Sequence, residues 1–213
     1  LISAIESALL KEYGIELDLS ENNMFNYALK YSPYGYLNTV EGGFFALGVS
    51  NLVSWCGPVL EELNVYNEVG KLSPPLQVDY DIVHIQDVIR IPNDEVPENS
   101  KIKTAILNYG ALAASYYLDI DNIDGYYNPE TYAQYINESI TPQHAVSIIG
   151  WDDNFSKDNF IITPPGDGVW IVKNSWGTEW GDNGYFYVSY YDTKCVRLGA
   201  YDKSSYTIIL NDT

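Results

Sequence analysis

Gln143-His144-Ala145-Val146-Ser147-Ile148-Ile149-Gly150-Trp151-Asp152-Asp153 and, after a loop, Gly168-Val169-Trp170-Ile171-Val172-Lys173-Asn174-Ser175-Trp176-Gly177 decide how this chain is read. Trp180-Gly181-Asp182-Asn183-Gly184-Tyr185-Phe186 follows closely. The apolar runs 145–149 and 169–172 are rich in Val and Ile and bounded by glycines, so each reads as a buried strand. His144 opens the first run and Asn174 closes the second. If the strands are antiparallel neighbours, these side chains meet, with a ring nitrogen within about 3.2 Å of the Asn174 oxygen. An asparagine oxygen accepting from one imidazole nitrogen fixes the tautomer and leaves the other nitrogen as a general base. Trp176, two residues beyond Asn174, is placed to cover that bond.

These residues also carry a resemblance. His144-Ala145-Val146 with Gly150-Trp151 resembles the histidine strand of papain-like cysteine peptidases. Lys173-Asn174-Ser175-Trp176-Gly177, followed by Trp180-Gly181 and Gly184-Tyr185-Phe186, resembles their asparagine motif. A lone histidine beside a strand is ordinarily a satisfied core residue; the ordered Trp- and Gly-rich run behind it turns the reading toward the family. Ile5-Glu6-Ser7 and Leu19-Ser20-Glu21 resemble the family's central helix and the Leu-Ser-Glu after it. Glu41-Gly42-Gly43 resembles its Asn-Gly-Gly, whose second glycine presents backbone groups to an extended substrate. The resemblance spans Leu1 to about Tyr206.

It implies an α+β, papain-like two-domain fold. A helical half, residues 1–99, faces an antiparallel β-rich half, residues 100–213, that carries His144 and Asn174, with the cleft between. The implied reaction is peptide-bond hydrolysis through a thioester acyl-enzyme: a cysteine attacks, His144 shuttles protons, Asn174 orients it, and backbone and Gln donors hold the oxyanion. Gly42, Gly43 and Trp176 are the implied substrate-binding residues. The family's nucleophile stands at the N-terminal end of the central helix, where the helix terminus stabilises a thiolate. Counting back puts it about five residues before Leu1 and about 148 before His144, within the family's spacing of roughly 130–150. The 213 residues are therefore expected to supply base and orienter but no nucleophile, and to be inactive alone. A peptide or protein substrate and an upstream pro-segment or N-terminal chain are the implied partners.

Two cysteines occur, Cys56 and Cys195. Ser54-Trp55-Cys56-Gly57-Pro58 has the nucleophile's residue types in the wrong order, before a turn rather than a helix. Cys195 follows the final motif. Both read as buried, unreactive thiols, and whether they are bonded to each other stays open. Neither has CxxC spacing and the chain has two histidines, so no metal is expected, and no cofactor either. So few cysteines resemble bacterial or archaeal cell-surface members rather than the disulfide-bonded plant and lysosomal ones.

A chain of this length buries a sizeable core, and 46% hydrophobic residues exclude a disordered one. A net charge of −18 argues against nucleic acid and anionic membrane surfaces, and no apolar run is long enough to insert into a membrane. Twenty tyrosines and Asn-x-Ser/Thr triplets at Asn137, Asn154 and Asn211 add to an extracellular or cell-surface expectation. A catalytically inactive papain-like binding or adhesion module is the alternative function.

Along the chain, Ile2, Ile5, Leu9 and Tyr13 fall at helical spacing ahead of a Gly14 C-cap. Ser20 caps a second helix through Leu29. Residues 83–91 alternate as a strand with His84 on the outer face. Ser100 caps a helix over 101–108, stopped by Gly110, and 111–117 follow as a strand. Asp119 to Glu130 fails the EF-hand pattern, because Ile123 and Asp124 stand where a ligand and Gly are needed, and reads as a solvated acidic turn. Gly166-Asp167-Gly168 lacks the context of a nucleotide loop.

Overall fold

A computed structural model describes residues 1–28, 43, 45–54, 57–66, 84–92, 99–118, 125–138, 140, 143–193 and 204–210. Glu41, Gly42, Cys56, Cys195, Asn211 and the 119–124 part of the acidic turn lie outside the described residues. The chain divides into two compact units, Leu1–Ile89 with Ile208–Thr213, and Arg90–Thr207.

In the first unit, α1 (Ile2–Tyr13) buries Ile2, Ala4, Ile5, Ala8 and Leu9. It ends because Gly14 takes a left-handed conformation, φ 67°, and its N–H and that of Ile15 close onto the carbonyls of Leu10 and Leu9, a Schellman-type stop. Tyr13, placed on the apolar face by spacing, is exposed: the helix turns out of the core in its last turn. Ser20 caps α2 (Glu21–Ala28) by accepting the Asn23 N–H at 3.0 Å, and its hydroxyl donates to the Asn64 carbonyl at 2.6 Å. Leu19 N–H donates to Glu6 Oε1 at 3.0 Å, tying Ile5-Glu6-Ser7 to Leu19-Ser20-Glu21. Among the described residues this unit also holds α3 (Phe45–Val53).

The second unit is built on a sheet. The strands are β1 (Ile85–Pro92), β2 (Leu112–Tyr116), β3 (Tyr127–Asn128), β4 (Ala133–Gln134), β5 (His144–Asp152), β6 (Val169–Lys173), β7 (Tyr185–Ser189) and β8 (Ser204–Leu210), of which β1 and β8 straddle the unit boundary. Their spatial order is β1-β8-β2-β5-β6-β7-β4-β3. Most pairs are antiparallel, as expected of this half, and β4 runs parallel to β7. The fully buried layer includes Trp170, Tyr116, Phe186 and Leu112. Between β1 and β2, α4 (Ser100–Tyr109) buries Ile102, Ala105 and Ile106. Asn99 rather than Ser100 holds its N-cap position, without a side-chain cap bond, so the expected serine cap is the helix's first residue. His84 stands just ahead of β1, half-buried, rather than on the strand's outer face.

β5 is longer than the apolar run 145–149 and not buried throughout. Ser147 pairs with Lys173 and Ile148 with Val172, but the next pair is Gly150 with Ile171. Ile149 is the extra residue of a β-bulge, and it is 38% exposed; Ala145 also faces solvent. The run reads as continuous because the bulge and the strand's open face both carry apolar residues.

Candidate active site

The central pair of strands brings His144 and Asn174 together. Tyr116, the last residue of β2, pairs with His144, the first of β5. On the other side, continuing the β5–β6 register one step past Ser147↔Lys173 sets Asn174 opposite Val146. His144 lies two residues from Val146 and shares its face, so His144 and Asn174 are diagonal neighbours, within reach of polar side chains. His144 Nε2 lies 2.8 Å from Asn174 Oδ1.

The roles in this contact follow from a third group. Ser175 N–H donates to the same Asn174 Oδ1 at 2.8 Å. A main-chain N–H has no alternative role, so the atom facing it is the carbonyl oxygen and the amide is not reversed. An oxygen cannot donate, so His144 carries its proton on Nε2. Nδ1 is thereby left to exchange protons elsewhere. Asn174 is buried, 7% exposed, its N–H donates to the Gly184 carbonyl at 2.9 Å, and its own Nδ2 has no partner among the described residues. The side chain is held entirely through its oxygen and its backbone.

Trp176 stacks beside the pair, its ring 5.2 Å from that of His144 and tilted by 37°. Behind it Trp180 meets Trp176 edge-on at 5.1 Å and stacks on Tyr127 at 5.7 Å. Phe186 abuts Trp180 at 5.5 Å and Tyr116 at 5.2 Å. The aromatic train thus returns to the residue that pairs with His144. The glycines make the turn that carries the tryptophans. Gly181 has φ 60°, and a Cβ there would stand 2.4 Å from the Tyr185 carbonyl oxygen, while Asp182 and Tyr185 exchange main-chain hydrogen bonds at 2.8 and 3.0 Å. Burial, then a hydrogen bond to Asp182, pushes the Tyr187 phenol up to about 12. Burial, then Tyr132, does the same to Tyr127, also to about 12. Both phenols therefore stay protonated near neutral pH.

Of the other residues read from sequence, Gly43 is exposed and Gly42 lies outside the described residues. Asp167 is structural, with its carboxylate accepting the Lys157 N–H at 2.9 Å. No group of three or more His, Cys, Asp or Glu among the described residues could hold a metal. Two features carried no role in the sequence reading: the Ser175 N–H, which is main chain and so invisible to a residue pattern, and Gln143. The Gln143 carboxamide donates from Nε2 to the Leu118 carbonyl at 2.9 Å and accepts the Leu118 N–H at 3.3 Å.

The family profile described as papain family cysteine protease matches residues 2–206. The chain belongs to the papain family of cysteine proteases. The cysteine protease and lectin-like domains of Cwp84, a surface layer associated protein of Clostridium difficile, superpose with a TM-score of 0.83 at 29% identity, over 99% of this chain and 46% of that one. Bromelain from Ananas comosus, bound to the E64 inhibitor, shares the fold with a TM-score of 0.68 at 21% identity, over 99% of this chain and 86% of that one. Peptidase 1 of Psoroptes ovis is 29% identical over 189 residues, 87% of this chain and 51% of its own length. This protease domain therefore spans about half the length of the mite peptidase and of the clostridial structure, and it has the α+β fold of papain-like proteases.

Proposed function

We propose that this domain hydrolyses peptide bonds with His144 as proton carrier and Asn174 as its orienter, the nucleophile being a cysteine upstream of Leu1. The observation that carries the reading is the 2.8 Å His144 Nε2–Asn174 Oδ1 contact, because it dictates which ring nitrogen is free. The upstream cysteine gives its S–H proton to His144 Nδ1, and the thiolate so formed attacks the scissile carbonyl, making a C–S bond. His144 Nδ1–H gives its proton to the leaving amine as the C–N bond breaks. Water then attacks the thioester, Nδ1 takes its proton, and the thiolate departs with the carboxylic acid formed. Trp176 limits water and ring rotation at the pair, and with Gly42 and Gly43 it contacts the substrate. The helical half, residues 1–99, contributes those glycines, and the β-rich half, residues 100–213, the base.

The solved relatives support two further parts of the reading. Cwp84 is described as surface layer associated and has been solved after propeptide cleavage, and a ragweed cysteine protease as a proform. These descriptions support an extracellular or cell-surface location and an upstream pro-segment for this protein. Among the described residues no helix is long and apolar enough to cross a membrane.

The test uses the parent chain with the segment upstream of Leu1 and a fluorogenic peptide. His144→Ala should lower kcat/KM by about a thousandfold or more, while the 213 residues alone should cleave nothing. A parent that stays active as His144→Ala removes the base from the mechanism. Cleavage by the shorter chain that is abolished in Cys56→Ala removes the upstream nucleophile.

A further inference from the structure

His144 is the first residue of β5, and a strand end is where a ladder frays. A proton carrier must be held within about 0.5 Å of its working position, so something beyond the ladder has to hold this end. Asn174 and Trp176 restrain the imidazole ring, but neither restrains the main chain entering the strand. On the β2 side, Gln143 N–H donates to the Tyr116 carbonyl at 3.2 Å.

The Gln143 side chain extends that pairing to Leu118. A carboxamide has the same donor and acceptor as a peptide group, and this one meets both polar groups of Leu118. Nε2 donates to the Leu118 carbonyl at 2.9 Å, and Oε1 accepts the Leu118 N–H at 3.3 Å. Leu118 itself is 1% exposed, so its end of the clamp is rigid. We propose that Gln143 is a positioning residue for His144: its side chain carries the β2–β5 pairing on from Tyr116 to Leu118, and so holds the base in register with Tyr116. The proposal rests on the reading of His144 as the base. It needs a residue that both donates and accepts at this reach, so neither Glu nor Leu can replace Gln143.

The chain contains two histidines, which gives a readout that requires no nucleophile. In the 15N-histidine-labelled chain, His144, assigned by loss of its signals in His144→Ala, should show one sharp set of ring resonances with the proton on Nε2. In Gln143→Leu and in Gln143→Glu the His144 set should broaden or split, while the His84 set stays put. In the active parent both variants should lose about tenfold in kcat per titrated active site, with KM within about twofold, the size expected for a small misplacement.

A merely structural role would lower the number of titratable sites and leave kcat per site unchanged. Unchanged His144 resonances, or unchanged kcat per site, in both variants overturns the proposal. If His144→Ala stays active, the failure belongs to the base assignment, and the ring resonances alone then decide whether Gln143 positions the ring.

Discussion

Asn174 Oδ1 accepts two hydrogen bonds, from Ser175 N–H and from His144 Nε2, and losing its side chain differs from losing the imidazole. Asn174→Ala leaves Ser175 N–H and the half-buried His144 Nε2–H without their acceptor in a part-buried place, which costs about 1–2 kcal/mol. Asn174 Nδ2, without a partner among the described residues, disappears with the side chain and adds nothing to that cost. His144→Ala leaves Asn174 Oδ1 still satisfied by Ser175 and removes a half-buried ring whose stacking is worth about 1 kcal/mol or less. Urea unfolding should therefore rank Asn174→Ala as the more destabilised variant, whereas activity of the parent should rank His144→Ala as the more impaired. Matching orders in both assays would mean that the pair acts only as a packing element, or only as a catalytic one.

At the level of elements, local signals were legible where one local force decides the outcome. α1 stops at Gly14 because a left-handed residue is needed there, and the sequence shows the glycine. α4 begins one residue earlier than its serine implies, because Asn99 also suits an N-cap. The His144–Asn174 contact was legible because two strand ends and a turn motif constrain it. The bulge at Ile149 was hidden, since a Val- and Ile-rich run looks the same with or without an extra residue. The Gln143 clamp was hidden because its partner, Leu118, lies 25 residues away and takes part through main-chain atoms.

α4 is joined to the turn after β5 by Lys103, which pairs with Asp153 and lies 4.8 Å over the Tyr190 ring. The Lys103 hydrogen bond, then that of the Tyr190 hydroxyl, holds the Asp153 carboxyl below its ordinary range. A lowered folded pKa means that this contribution is present above the unfolded value, about 3.9. It is lost as pH falls through the lowered folded one. With the Asp153 side chain 58% exposed, it should be below about 1 kcal/mol. The stability gap between the native chain and Asp153→Asn should thus be constant near neutral pH, close as the pH falls through and below the ordinary carboxylate range, and shrink in salt. A gap that is unchanged across that range would leave the pair without an energetic role.

For the whole molecule, charge dominates: 29 acidic residues against 11 basic ones give −18. A field of that sign concentrates cationic partners and repels anionic ones before any contact forms, changing association rates by about 10- to 1,000-fold where charges are poorly screened. The screening length is about 30 Å at 0.01 M salt and about 8 Å at 0.15 M, so the effect should be large in dilute buffer and small under physiological conditions. Two fluorogenic peptides with the same residues around the scissile bond, one flanked by lysines and one by glutamates, separate steering from pocket preference. For the active parent, kcat/KM should favour the lysine-flanked peptide by about tenfold at low salt, with the ratio falling toward one as salt rises. A pocket that prefers lysine would keep its ratio in high salt, because contact pairs are screened less than distant charges. Equal rates at low salt would leave the acidic surface with a role in solubility alone.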